Sequence, residues 1–281
     1  MVSKGFIVLA QNTETVDYIK QAYALALSIK NTQQTVNKIS LITNDEVPYQ
    51  YKHVFDKIIE IPWGDLAINP TWKIENRWKI FHVSPYDETI VLDTDMLFLD
   101  DISSWWDYCS TSDLKFCSTI KNYKNEIIIA DPVHRKTFIN NGLSNPYVAL
   151  YYFKKSDLAL NFFKVLEFVV KNWEFCSKTI TSTTPQKWLS IDLATAIAIE
   201  IMGIEDQVID KFSPLEFVHM KSAIQGWNPV PSSWQNAVSF SFENGCMLVG
   251  NYRQSFLFHY VEKDFVTDKL LVKLEGLKIY D

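Results

Sequence analysis

Two aspartates one residue apart, Asp93 and Asp95, stand in the segment Ile90-Val-Leu-Asp-Thr-Asp-Met-Leu-Phe-Leu99. Apolar residues precede and follow them, so the pair reads as the end of a buried strand and not as a surface acidic patch. In extended geometry residues i and i+2 point the same way, and both carboxylates can then reach one octahedral Mg2+ or Mn2+ whose remaining positions take phosphate oxygens and water. The plainer alternative is a turn in which both aspartates cap local amides. Against it stands the cost of burying two carboxylates without a cation. Asp100 and Asp101, directly before Ile102-Ser-Ser-Trp-Trp106, read instead as helix-capping acids.

Such a pair needs a sheet to hold it, and the preceding residues supply the pattern of one. Residues 6–10 (Phe-Ile-Val-Leu-Ala) form a short continuous apolar run, as in a strand buried on both faces. Tyr18, Ala22, Leu25 and Ile29 then recur at helical spacing, predicting a helix over about 16–29. Strands are predicted at 39–43 and 57–61, a helix over 72–81 with Ile74, Trp78 and Phe81 on one face, and a strand at 89–92 running into Asp93. Strand, helix, strand in this rhythm signals a parallel sheet with right-handed crossovers, and ligands of such sheets sit at the carboxyl ends of the strands. Further on, strands are expected at 116–120 and 147–153 and helices at 156–173 and 188–202, with a Ser/Thr-rich loop at 177–184 between the helices. No repeat, low-complexity tract or linker interrupts the 281 residues, which predicts one domain over 1–281.

The net charge of −6 and pI near 5.4 argue against a nucleic-acid surface, which concentrates lysine and arginine in a stripe. Nine tryptophans, 13 tyrosines and 18 phenylalanines exceed ordinary packing needs and suggest that some rings line a ligand cleft. The apolar stretch near the start is too short for a signal peptide or a membrane span, so a cytoplasmic protein without a transmembrane segment is expected. Cys109, Cys117, Cys176 and Cys246 lack C-x-x-C spacing and read as buried thiols.

The first strand, the helix carrying Tyr18, the Lys79 segment and Val-Leu-Asp-Thr-Asp-Met-Leu-Phe-Leu together resemble the retaining glycosyltransferases of the glycogenin and lipopolysaccharide galactosyltransferase type (glycosyltransferase family 8), which have the GT-A fold. The resemblance covers roughly the first hundred residues well and weakens afterwards. It implies an α/β fold of GT-A, Rossmann-like type, with a mostly parallel central sheet flanked by helices. Residues 1–100 would form the nucleotide-binding half, and 101–281 the acceptor-binding half with a C-terminal metal-histidine segment. The function it implies is hexosyl transfer from a nucleotide-sugar donor, UDP-sugar by preference, to a sugar or glycan acceptor, with retained anomeric configuration.

By the same resemblance Asp93 and Asp95 hold Mn2+ or Mg2+ on the diphosphate, Tyr18 stacks on the base, Lys79 approaches the donor, and Ala10, Asn12 and Thr94 belong to the donor-binding set. Tyr18 suits the helix core equally well, and Lys79 could be a solvated helix lysine. The family's third ligand is a histidine near the end of the catalytic domain, followed by a lysine that meets the diphosphate. His259 and Lys263 of Leu257-Phe-His-Tyr-Val-Glu-Lys263 match that order, with His219 as rival. The family's glycine and Lys-Pro-Trp around this lysine are missing here. Asp192 resembles an aspartate near the reacting carbon, although Leu193 stands where the family has glutamine; N-capping of the following helix is the other reading. Where the family has Asn-Ser-Gly, this chain has Asn145-Pro-Tyr, so the acceptor side is less defined. Trp227, beside Gln225, Gly226 and Asn228, and Trp234 after Ser233 could stack on a sugar or belong to the core. Two other classes compete: a haloacid-dehalogenase-like Mg2+ phosphatase, whose acidic pair normally lies near the N-terminus, and a glycan- or nucleotide-binding protein that keeps the fold without catalysis.

Overall fold

The computed structural model describes residues 2–67, 69–128, 135–221, 227, 234, 238–241 and 246–276. Its largest sheet, six-stranded among those residues, is built from β1 (Lys4–Leu9), β2 (Ile39–Ile42), β3 (Lys57–Ile59), β4 (Glu88–Leu92), β6 (Leu114–Phe116) and β8 (Leu150–Lys154). The spatial order is β3-β2-β1-β4-β8-β6. The first four strands are mutually parallel, and β8 alone runs against its neighbours β4 and β6. The α/β architecture with a mostly parallel sheet is as expected.

Both faces of this sheet are covered, which explains the unbroken apolar runs. Alternate residues serve opposite sides: Phe6, Val8, Ile90 and Leu92 pack with α1 (Tyr18–Thr32), while Ile7, Leu9 and Val91 pack with α5 (Asp157–Lys171) and α7 (Ile191–Met202). Asp17 caps α1 by accepting from the amide of Lys20, and Gly203 ends α7 in the left-handed conformation open to glycine.

A second sheet, four-stranded, has the order β5-β13-β9-β7, from β5 (Met96–Phe98), β7 (Thr119–Lys121), β9 (Glu216–His219) and β13 (Leu257–His259). The chain passes from the large sheet to this one directly at β4 to β5 and at β6 to β7, and a third time, through the intervening helices, from β8 to β9. The predicted single strand at 116–120 is therefore two, because Cys117 still donates to the Leu150 carbonyl of the large sheet while Thr119 pairs with Glu216 of the small one. β10 (Val238–Ser241), β11 (Cys246–Val249) and β12 (Tyr252–Gln254) make a small antiparallel sheet.

The helix predicted over 72–81 is shorter: a 3-10 turn, Arg77–Lys79, leads into α2 (Ile80–Val83), and Ile74, Trp78 and Phe81 are buried as the spacing implied. The N-cap of α3 (Ser103–Cys109) is Ile102, not one of the expected acids; Asp101, one residue before it, accepts from the Ser103 amide at 2.5 Å. The remaining short helices are α4 (Lys136–Asn140), α6 (Trp173–Ile180), α8 (Glu205–Val208) and α9 (Asp268–Gly276). Cys109, Cys117 and Cys176 are buried free thiols. Among the described residues no helix is long and apolar enough to cross a membrane.

Candidate functional site

β4 is central in the large sheet and β5 is the edge of the small one, so the three residues between them lie where the two sheets part. Asp93 still donates its amide to Ala149 beside β8, while the Asp95 carbonyl already accepts from Tyr260 at 3.1 Å. The antiparallel register of β5 with β13 sets His259 opposite Met96, the residue after Asp95. Asp93, Asp95 and His259 thereby come together, each offering one ligand atom within 4.8 Å of the others.

His259 Nε2 lies 3.1 Å from one oxygen of Asp95, and Lys263 Nζ lies 2.5 Å from the other. Burial by itself raises the pKa of Asp95, but His259 and Lys263 outweigh it and hold the carboxyl well below its usual range. His219 sits behind: the parallel pairing of β9 with β13 puts it beside His259, with the two Nδ1 atoms 3.0 Å apart. One Nδ1 donates and the other accepts, which fixes the His259 ring with Nε2 toward the aspartates. Of the two candidate histidines, His259 is the one that meets both carboxylates, and His219 positions it.

The group opens on a cleft of about 1040 Å3 whose wall includes Gln11, Tyr18, Arg77, Asp93, Asp95, Asp192, His259 and Lys263. Tyr18 lies on the cleft wall at the start of α1, half-buried, with Lys263 Nζ 5.2 Å from its ring centroid. Thr94 also faces the cleft and donates to Gln21 of α1 at 3.3 Å.

Three expected donor residues are placed elsewhere. Lys79 is buried at 1% exposure, donates to the Gly64 carbonyl and lies outside the cleft wall; burial lowers its pKa. The cation that the turn Arg77–Lys79 sends into the cleft is Arg77, paired with Asp93, because the residues of a tight turn point in different directions. Ala10 is fully buried, and Asn12 braces the loop after β1, accepting from the Ile19 amide at 3.1 Å and from Lys73 at 2.8 Å. Leu9 and Gln11, of alternate parity, take the cleft face instead.

Asp192 does line the cleft and is not an N-cap: Ser190 holds that position, and Asp192 is the second residue of α7. Its carboxylate accepts from the Val148 amide at 3.0 Å and from Arg135 at 2.8 Å. Trp227 and Trp234 belong to the core, at 4% and 1% exposure, and Gln225, Gly226, Asn228 and Ser233 lie outside the described residues. The tryptophans at the cleft are Trp72 and Trp188, 58% and 69% exposed. Their exposure carries no signal in the sequence, since each stands in a segment of mixed polarity.

In sequence the chain matches no protein-family model and no curated protein. In structure it is similar to the apo form of the bifunctional glycosyltransferase WbbM, with a TM-score of 0.52 and 11% identity over 98% of this chain and 50% of that one. The likeness is one of fold. Apo GlyE, a glycosyltransferase of Streptococcus pneumoniae TIGR4, superposes with a TM-score of 0.48 and 14% identity over 99% of this chain and 61% of that one. Apo mouse xyloside xylosyltransferase 1 gives 0.49 and 10%, over 92% and 98%. The chain spans about half the length of WbbM and three fifths of GlyE.

Proposed function

We propose that the chain is a metal-dependent glycosyltransferase that moves a hexose from a UDP-sugar to a glycan acceptor with retention of configuration. The observation that carries this reading is the convergence of Asp93, Asp95 and His259 on one point of a large cleft at the carboxyl end of β4. Two hard carboxylates and one imidazole are a donor set suited to Mn2+ or Mg2+. When bound, such an ion offsets charge on a diphosphate leaving group. A GT-A-like fold agrees with the assignment.

The chain's own residues have distinct tasks. Arg77 and Lys263, now paired with Asp93 and Asp95, are the cations nearest the place of the diphosphate and stabilise its developing charge. Tyr18 lies where the uracil would stack. Asp192, fixed by Arg135 and the Val148 amide, presents a carboxylate to the sugar. A front-face route to retention requires no protein nucleophile. The three buried unpaired cysteines suit a reducing, cytoplasmic setting. Residues 1–281 would act as one unit, with the nucleotide held by the first hundred residues. A haloacid-dehalogenase chemistry fits poorly, because the acidic pair follows β4 and not the first strand.

The test is a thermal-shift panel of UDP, GDP, ADP and UDP-sugars, each with and without Mn2+. Stabilisation by UDP that depends on the metal supports the reading; no stabilisation by any nucleotide with metal overturns it.

A further inference from the structure

The cleft carries the opposite charge to the chain. Among the described residues seven cationic side chains line it against three carboxylates, a surplus of four, in a chain of net charge −6. Each carboxylate already has its cation: Arg77 on Asp93, Lys263 on Asp95 and Arg135 on Asp192. Of the cations left over, Lys73 donates to the Asn12 carbonyl beside the nucleotide half. Lys136, Lys187 and Lys221 all stand on the wall built by the second half of the chain, and no ion pair among the described residues engages them. A divalent cation and the doubly esterified diphosphate of a nucleotide-sugar bring equal and opposite charge, so the proposed donor leaves this surplus in place.

Lys221 shows the imbalance most directly. Burial lowers its pKa, and the charge of Asp192, already shared with Arg135, does not offset that; for Lys263, by contrast, Asp95 outweighs burial. Next to Lys187, Trp188 presents its indole at the lip of the same wall. This lip is held from beneath, not loosely hung: Trp173 Nε1 donates to the Lys187 carbonyl at 3.1 Å, and Ser177 Oγ to the Gln186 carbonyl at 2.8 Å. An exposed ring fixed beside ammonium groups suits a saccharide, whose apolar face stacks on the ring while an acidic substituent meets the lysines.

We propose that the acceptor is an acidic glycan, one whose sugar bears a carboxylate or phosphate, and that Lys136, Lys187 and Lys221 with Trp188 form its subsite. This rests on the sugar-transfer reading, which assigns the first half of the cleft to the nucleotide and leaves the second half to the acceptor.

The test uses the full chain saturated with UDP and Mn2+, titrated by tryptophan fluorescence with cellobiose, cellobiouronic acid and cellobiose 6'-phosphate. The acidic disaccharides should bind at least about tenfold tighter than cellobiose in about 50 mM salt, with the ratio shrinking toward one in about 1 M salt. In the double variant Lys136→Glu, Lys187→Glu the preference should vanish while UDP and Mn2+ stabilise the protein as in wild type; both lysines are exposed, so folding is not at stake. Equal affinity for acidic and neutral disaccharides, no binding of any, or a preference that survives the double variant overturns the proposal. A parallel comparison of UDP-glucuronic acid with UDP-glucose separates the sources: a tenfold preference there, lost in the variant, assigns the lysines to the donor sugar and overturns the acceptor assignment. If UDP with Mn2+ fails to stabilise the wild type, the sugar-transfer reading itself has failed; if it succeeds and acidity makes no difference, only the acidic subsite has.

Discussion

Asp95→Asn keeps the shape of the side chain and removes the charge shared by His259 and Lys263. The Asp95 side chain is 7% exposed, but Lys263 at 38% can turn to water once its partner is neutral. The cost to folding should therefore be about 1–3 kcal/mol, below the roughly 3–5 kcal/mol of stranding a fully buried charge. The effect on metal binding is larger. Loss of a group that merely orients a ligand weakens metal binding about 10–100-fold, so loss of the carboxylate ligand itself should cost at least about 100-fold. With Mn2+ at about 100 times its wild-type Kd, the wild type gains about 2.7 kcal/mol and the variant only about 0.4 kcal/mol. At about 2 °C per kcal/mol for a chain of this size, that is a rise in Tm of roughly 5 °C against less than about 1 °C. Differential scanning fluorimetry with and without Mn2+, with circular dichroism confirming an unchanged fold, makes the comparison, and Mn2+-dependent hydrolysis of the UDP-sugar should disappear in parallel. A variant that keeps the full Mn2+ shift, or full hydrolysis, would refute the assignment of Asp95 as a ligand.

Arg77→Gln should lower metal-dependent donor turnover by about 100-fold or more, read as kcat/KM, with little change in Tm. Lys79→Met should do the reverse: it leaves the Gly64 carbonyl without its donor and costs about 1–2 kcal/mol in urea unfolding while donor binding is retained; the opposite pattern would return Lys79 to the site. Gly5→Ala places a Cβ 2.4 Å from the nearest ring atom of Tyr86, whose hydroxyl is bonded to Ser40 at 2.8 Å, and should cost about 1–3 kcal/mol by the same measurement. Burial pushes the Cys109 thiol up to about 12 and that of Cys117 higher still, and Cys176 is raised as well. A thiol-reactive chromophore at about pH 8 should therefore leave these three cysteines unlabelled in the native chain, read by mass spectrometry of the digested protein; rapid labelling of any of them would contradict the packing.

The apolar runs of β1, β2 and β4, the helical spacing of Tyr18 to Ile29 and the Asp93–Asp95 pair at the end of a strand were legible in the sequence, because each is a local pattern of polarity with a fixed period. The sequence could narrow the third member of the Asp93–Asp95 cluster only to His259 or His219, 40 residues apart. The β5–β13 pairing chose His259, and the β9–β13 pairing set His219 behind it. Lys79 and Arg77, two residues apart, were indistinguishable as cations until the tight turn sent one into the core and the other into the cleft. Trp227 and Trp234 against Trp72 and Trp188 is the same case, since the identity of a ring does not say which side of a wall it occupies. Sequence alone thus determined the sheet and the carboxylate pair at the end of β4, whose signals lie within a few neighbouring residues. The histidine, the arginine and the far wall of the cleft are brought together by strand pairings and turns between segments far apart in the chain, and only the tertiary structure decided them.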